Sequence, residues 1–72
     1  MTAEGKLREA EKRARPVWPA SVTLAVGVED STKGQRYIEV SIDKNGSRAY
    51  RYDGAVKISR ERALELIEEA TA

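Results

Sequence analysis

Five basic side chains, Lys6, Arg8, Lys12, Arg13 and Arg15, are set among three glutamates in the first fifteen residues. A cluster of this kind can meet phosphates or an acidic protein surface. Trp18 follows between Pro16 and Pro19, and the pair Arg36-Tyr37 and Arg51 come further along. Trp and Arg are the usual anchors of protein interfaces, and a tyrosine on a sheet can stack a nucleobase. The chain has no cysteine and no histidine, so it offers no thiol nucleophile, no Cys-based zinc site and no imidazole base. A carboxylate pair for acid–base work needs one desolvated member. Glu29, Glu39, Asp43 and Asp53 all fall at turns or solvent-facing strand positions. The segment Asp30-Ser31-Thr32-Lys33-Gly34 lacks the GxxxxGK[ST] spacing of a phosphate loop. Asp43-Lys44-Asn45-Gly46 lacks the downstream glutamate of a calcium loop. The expectation is a protein with no catalytic residues, cofactor or metal.

The elements that must position these residues can be read from hydrophobic periodicity. Ala3, Leu7, Ala10 and Ala14 recur at helical spacing, and Glu4–Arg8, Glu9–Arg13 and Glu11–Arg15 are favourably ordered i,i+4 pairs. An alanine stripe buries little, so residues 1–15 are expected to form a basic, mixed-charge arm, helical or disordered and loosely attached. Pro16 and Pro19 end it, because each disfavours helix before it and donates no hydrogen bond. Residues 16–20 therefore read as an extended connector. Trp18 either closes the open end of the core behind it or stands out as an anchor for a partner.

Residues 21–72 read as a sheet-plus-helix domain. Val22, Leu24, Val26 and Val28 alternate with Thr23, Ala25, Gly27 and Glu29, the pattern of a half-buried strand. Ile38, Val40 and Ile42 mark a second strand, and Arg48 to Tyr52 a third. A two-residue Asn45-Gly46 loop would place Arg51 and Asp53 on the apolar face. A three-residue Lys44-Asn45-Gly46 loop with a left-handed Gly46 pairs Asp43 with Ser47, Val40 with Tyr50, Ile38 with Tyr52 and Glu39 with Arg51. The second register satisfies both faces and is the one expected. Val56 and Ile58 add a short extended piece, a candidate fourth strand. Ser59 then caps a helix whose stripe is Ala63, Leu64, Leu66, Ile67 and Ala70. The fold class is α+β: a three-stranded antiparallel sheet, extended by that piece, on a C-terminal helix, in the order α-β-β-β-α. The core should comprise Val22, Leu24, Val26, Ile38, Val40, Ile42, Leu66 and Ile67.

The order helix, three strands, helix is similar in topology to double-stranded-RNA-binding domains. The basic run that opens that family's last helix is replaced here by Arg60-Glu61-Arg62-Ala63-Leu64. The tail Gly54-Ala55-Val56-Lys57-Ile58-Ser59, leading into a Leu/Glu-rich helix, resembles the end of single-stranded-DNA-binding coactivator domains over under a third of the chain. The sheet-and-helix arm-binding modules of recombinases are similar in outline. These resemblances imply nucleic-acid binding.

Composition weighs on the other side. Thirteen Lys/Arg against twelve Asp/Glu leave a formal charge of +1, which gives no global field for a polyanion. No apolar run is long enough for a membrane span and no greasy leader is visible, so a cytoplasmic protein without membrane contact is expected. The first expectation is a small binding module acting through protein–protein interaction, as an accessory, inhibitor or dimerising domain. Its partner is another protein or a second copy, met at an edge strand or at the small-residue face of Thr23, Ala25, Ser41 and Ala49. The alternative is a nucleic-acid-binding domain. It would use Lys6, Arg8, Lys12, Arg13 and Arg15 of the arm with Arg36, Tyr37 and Arg51 on the open sheet face.

Overall fold

The structure is a computed structural model and describes residues 2–16, 19–26 and 36–71. The connector tryptophan Trp18, the end of the first strand pattern at Val28 and the turn cluster at 30–34 lie outside the described residues.

Helix α1 spans Ala3–Ala14. It begins at Thr2, whose hydroxyl accepts from the Gly5 N–H at 3.1 Å, while Glu4 in the first turn and Lys12 and Arg13 in the last suit the helix dipole. Four antiparallel strands follow: β1 (Ala20–Val26), β2 (Arg36–Ile42), β3 (Arg48–Tyr52) and β4 (Val56–Ile58). They form one sheet in sequential order, so β1 and β4 are its edges. Helix α2 spans Arg60–Thr71. The expected α+β class holds, with the short piece at Val56–Ile58 a true fourth strand.

The β2–β3 register is the one expected from two-face satisfaction: Ile38 faces Tyr52, Glu39 faces Arg51 and Val40 faces Tyr50. The turn is fixed from within. The Asp43 carboxylate accepts from the N–H groups of Asn45 (2.8 Å) and Ser47 (2.9 Å), and Gly46 takes φ +85°. The β3–β4 turn places both Asp53 (φ 53°) and Gly54 (φ 72°) in the left-handed region. Asp53 also continues the β2–β3 ladder, since its N–H donates to the Tyr37 carbonyl and its carboxylate accepts from the Tyr37 N–H. Asp tolerates left-handed backbone better than most residues, because its short polar side chain bonds locally.

Both helices lie on one face of the sheet. Helix α1 packs on β1, β2 and α2, and α2 packs on β3 and β1. The core is Leu7, Ala10, Ala14, Val26, Ile38, Val40, Ile42, Tyr50, Ala63 and Ile67. Two expectations change here. Helix α1 is an integral layer, with Leu7, Ala10 and Ala14 fully buried. The alanines that bury little individually let the helix backbone approach the sheet closely and seat Leu7 in it. Val22, Leu24 and Leu66 pack against the core but are only half-buried, the first two because β1 is an edge.

Ser59 caps α2 as expected, its hydroxyl accepting from the Arg62 N–H at 3.1 Å. The like-charged glutamates down α2 are relieved by Arg62, which reaches Glu65 at 2.9 Å and Glu69 at 3.9 Å.

Candidate functional site

Three surfaces carry the residues with chemistry: the uncovered sheet face, a charged groove beside α1, and the β1 edge. The uncovered face follows from strand alternation. It presents Ser21, Thr23 and Ala25 from β1, Tyr37, Glu39 and Ser41 from β2, Ala49 and Arg51 from β3, and Lys57 from β4. Thr23, Glu39, Arg51 and Lys57 lie in one row across all four strands. A shallow depression of about 520 Å3 sits at the Ser21–Ser41–Ala49 row, with Pro19 and Lys57 on its rim. Tyr37 is 38% exposed at the other end, next to Ala25.

Arg36 is not on this face. As the neighbour of Tyr37 on a strand it must point the opposite way, towards the helix layer. There its guanidinium donates to the Tyr52 hydroxyl at 2.9 Å and lies 5.7 Å from the centre of that ring. The bond to Tyr52, with Asp53 nearby, raises the Arg36 pKa further. The expected grouping of Arg36 with Tyr37 and Arg51 on the open face does not hold, because adjacent strand residues alternate and only Tyr37 and Arg51 share that face.

The groove is built around Glu11, which is only 6% exposed. One of its oxygens accepts from the Tyr50 hydroxyl at 2.9 Å and from the Arg60 guanidinium at 3.1 Å; the other lies 3.4 Å from Arg48. Arg60 continues to Glu4 at 2.8 Å, and Glu4 also holds Arg8 at 2.9 Å. Two carboxylates of α1 thus clamp the helix to the first residue of α2 and the first of β3. The bonds from Arg60 and then Arg8 hold the Glu4 carboxyl below its ordinary value, and the bonds to Glu4 and then Glu11 raise the Arg60 pKa. Burial, and then the bond to the anionic Glu11, pushes the Tyr50 hydroxyl up. Beside the clamp lies a groove of about 390 Å3 lined by Arg8, Glu11, Lys12, Arg15, Arg48 and Arg60.

The candidate residues therefore separate. Arg8, Lys12 and Arg15 share one flank of α1. At about 100° per residue, Lys6 and Arg13 fall on the far flank. Tyr37 and Arg51 are on the other side of the sheet from all of them, so arm and open face do not form one continuous surface. Glu11, Arg48 and Arg60 were not singled out in the sequence. Their signal was the position of Glu11 beside the Leu7–Ala14 stripe, which becomes legible only once α1 is seen to pack.

The third surface is the outer edge of β1. The strand Ala20–Val26 reads ASVTLAV, seven residues with no charge and no proline. Among the described residues it pairs only with β2, so alternate N–H and C=O groups along its other side are unmatched by a strand. The opposite edge, β4, has three residues with Lys57 at its centre.

No family model, no curated protein and no solved structure matches the chain. Among the described residues there is no group of three acidic side chains placed to hold a metal, and no helix long and apolar enough to cross a membrane.

Proposed function

We propose that this chain is a small, non-enzymatic, cytoplasmic binding module that works through protein–protein interaction. A partner strand adds to the edge of β1, and that partner is a second copy. The observation that carries the reading is the contrast between the two edges. Native sheets protect edges by shortness, by a lysine or by a proline. The β4 edge is short and carries Lys57, whereas β1 is more than twice as long and uses none of these devices.

A second copy suits β1 because the strand is self-complementary. An antiparallel pairing with a two-fold axis at Thr23 sets Val22 opposite Leu24 of the other chain and Ser21 opposite Ala25, so apolar meets apolar on the helix side. Val22 and Leu24 are half-buried in the single chain, and the pairing would cover them further. The pair would have one continuous sheet of eight strands, twice the four of each chain.

The test is the mass in solution by sedimentation equilibrium across a wide concentration range. The reading expects a reversible monomer–dimer equilibrium that Thr23→Lys shifts to monomer without altering the circular dichroism spectrum. A monomer throughout the range contradicts it.

A further inference from the structure

We propose that the groove between α1, the start of β3 and the start of α2 is a binding site for the phosphate backbone of a nucleic acid, read with little regard to base sequence. This site does not depend on pairing at β1, and none of its residues lies on that strand.

The groove is lined by five cations and one carboxylate. Glu11 is already shared between Arg48, Arg60 and the Tyr50 hydroxyl, and Glu4 between Arg60 and Arg8. Two carboxylates thus serve three arginines. Lys12 and Arg15 are exposed, and among the described residues neither has an ion pair. The clamp commits all three Arg60 guanidinium nitrogens to Glu4 and Glu11. It engages only one nitrogen of Arg48, so the rest of the Arg48 fork is held before a ligand arrives, which lowers the cost of ordering it. Outside the groove and its clamp, the described residues carry seven basic and eight acidic side chains, with the acidic excess on α2 at Glu61, Glu65, Glu68 and Glu69. Positive potential is therefore concentrated at the groove even though the whole chain carries only +1.

Two features favour a nucleic-acid strand over an isolated phosphate. Arg8, Lys12 and Arg15 lie at i, i+4 and i+7, so they rise about 10 Å along the helix axis. Phosphates of one duplex strand recur every 3.4 Å or so along the DNA axis, and a row of cations this long meets about three of them. The lining holds no aromatic, amide or hydroxyl group, so any base contact would fall to the same Lys and Arg heads that neutralise phosphates. With those cations set in a row along the helix, their contacts position a backbone, and a weak sequence preference is the expectation.

The test is fluorescence anisotropy with a labelled mixed-sequence duplex and a labelled single strand between about 50 and about 200 mM salt, with pyrophosphate as competitor. The expected result is binding that weakens with salt, changes little with a scrambled sequence, and resists pyrophosphate at equal phosphate concentration. The double substitution Lys12→Gln with Arg15→Gln should lower the salt slope by about 1.8 on duplex and about 1.4 on single strand, the equivalent of two phosphate contacts. Lys12→Arg with Arg15→Lys should retain the slope. Lys6→Gln with Arg13→Gln removes the same charge from the far flank and should leave the slope unchanged. The proposal is overturned by no binding at low salt, by equal losses in the two glutamine doubles, by pyrophosphate displacing the strand stoichiometrically, or by a strong sequence preference.

Discussion

Glu11 is a carboxylate held in the core boundary by two hydrogen-bond donors, Tyr50 and Arg60, and by the nearby charge of Arg48, and its removal should be felt by all three. Glu11→Ala leaves the Tyr50 hydroxyl without its acceptor and frees Arg48 and Arg60 from their shared partner. Because both arginines remain about one-third exposed, the loss should be about 2–3 kcal/mol in chemical denaturation, below that of a fully buried pair. Glu11→Gln keeps an acceptor for Tyr50 and should lose less. The pH dependence follows from the same cluster. Glu4 has its pKa lowered from an ordinary value of 4.5, so its pairing with Arg60 and Arg8 stabilises the fold above that pH and is lost as pH falls through the folded value. Thermal melts of the parent and Glu4→Gln should therefore converge as the solution is acidified below about pH 4.5, having been apart at neutral pH. Tyr50 moves the other way: its pKa is raised from 10.0, so its contribution is complete below pH 10.0 and fades above it. The ultraviolet tyrosinate titration should lose its late, high-pH portion in Tyr50→Phe. None of this was legible residue by residue. The carboxylates that draw attention in the sequence flank turn signals, whereas Glu11 looks like one member of a mixed-charge helix until the burial of its neighbours is known.

At the scale of elements, the hairpin was the most legible part of the molecule, because a one-residue slip would have put Arg51 and Asp53 on the apolar face. Asp43 and Gly46 enforce the outcome locally. Gly46 is at φ +85° with open space where a side chain would go, so Gly46→Ala should cost about 1–2 kcal/mol through backbone strain alone. Helix α1 was legible in its extent and not in its attachment. Periodicity places Ala3, Leu7, Ala10 and Ala14 on one face, but propensity and side-chain area say nothing about how closely that face can approach a sheet. With Leu7 fully buried, Leu7→Ala should destabilise by about 2–4 kcal/mol, and loss of residues 1–15 should expose Ile38 and Val40 and abolish cooperative unfolding. A melt of Leu7→Ala indistinguishable from the parent would contradict the packed position of α1.

For the whole molecule, the arrangement among the described residues is a sheet with both helices on one side and nothing packed on the other. The charged groove and the β1 edge do not compete, since the groove is on the helix side and the β1 edge is a margin of the sheet. The sequence showed that Ser21 to Val28 is uncharged and alternating, and the described strand covers it as far as Val26. Whether that strand would be central or marginal depends on strand order, which hydrophobic pattern does not encode and which short sequential connections favour only on average. Its marginal place turns an ordinary strand into an unprotected one. Pairing about Thr23 makes a specific electrostatic demand, because each chain then sets its own residue 23 against the same residue of the other.

The most direct measurement uses that demand. Thr23→Lys and Thr23→Glu are made separately at a solvent-facing position, and each is sedimented alone and then in an equimolar mixture. Pairing through β1 predicts that each variant alone is shifted to monomer, while the mixture recovers a dimer containing one copy of each. If neither substitution changes the mass, or if the mixture behaves as the sum of the two variants, the chain does not associate through β1.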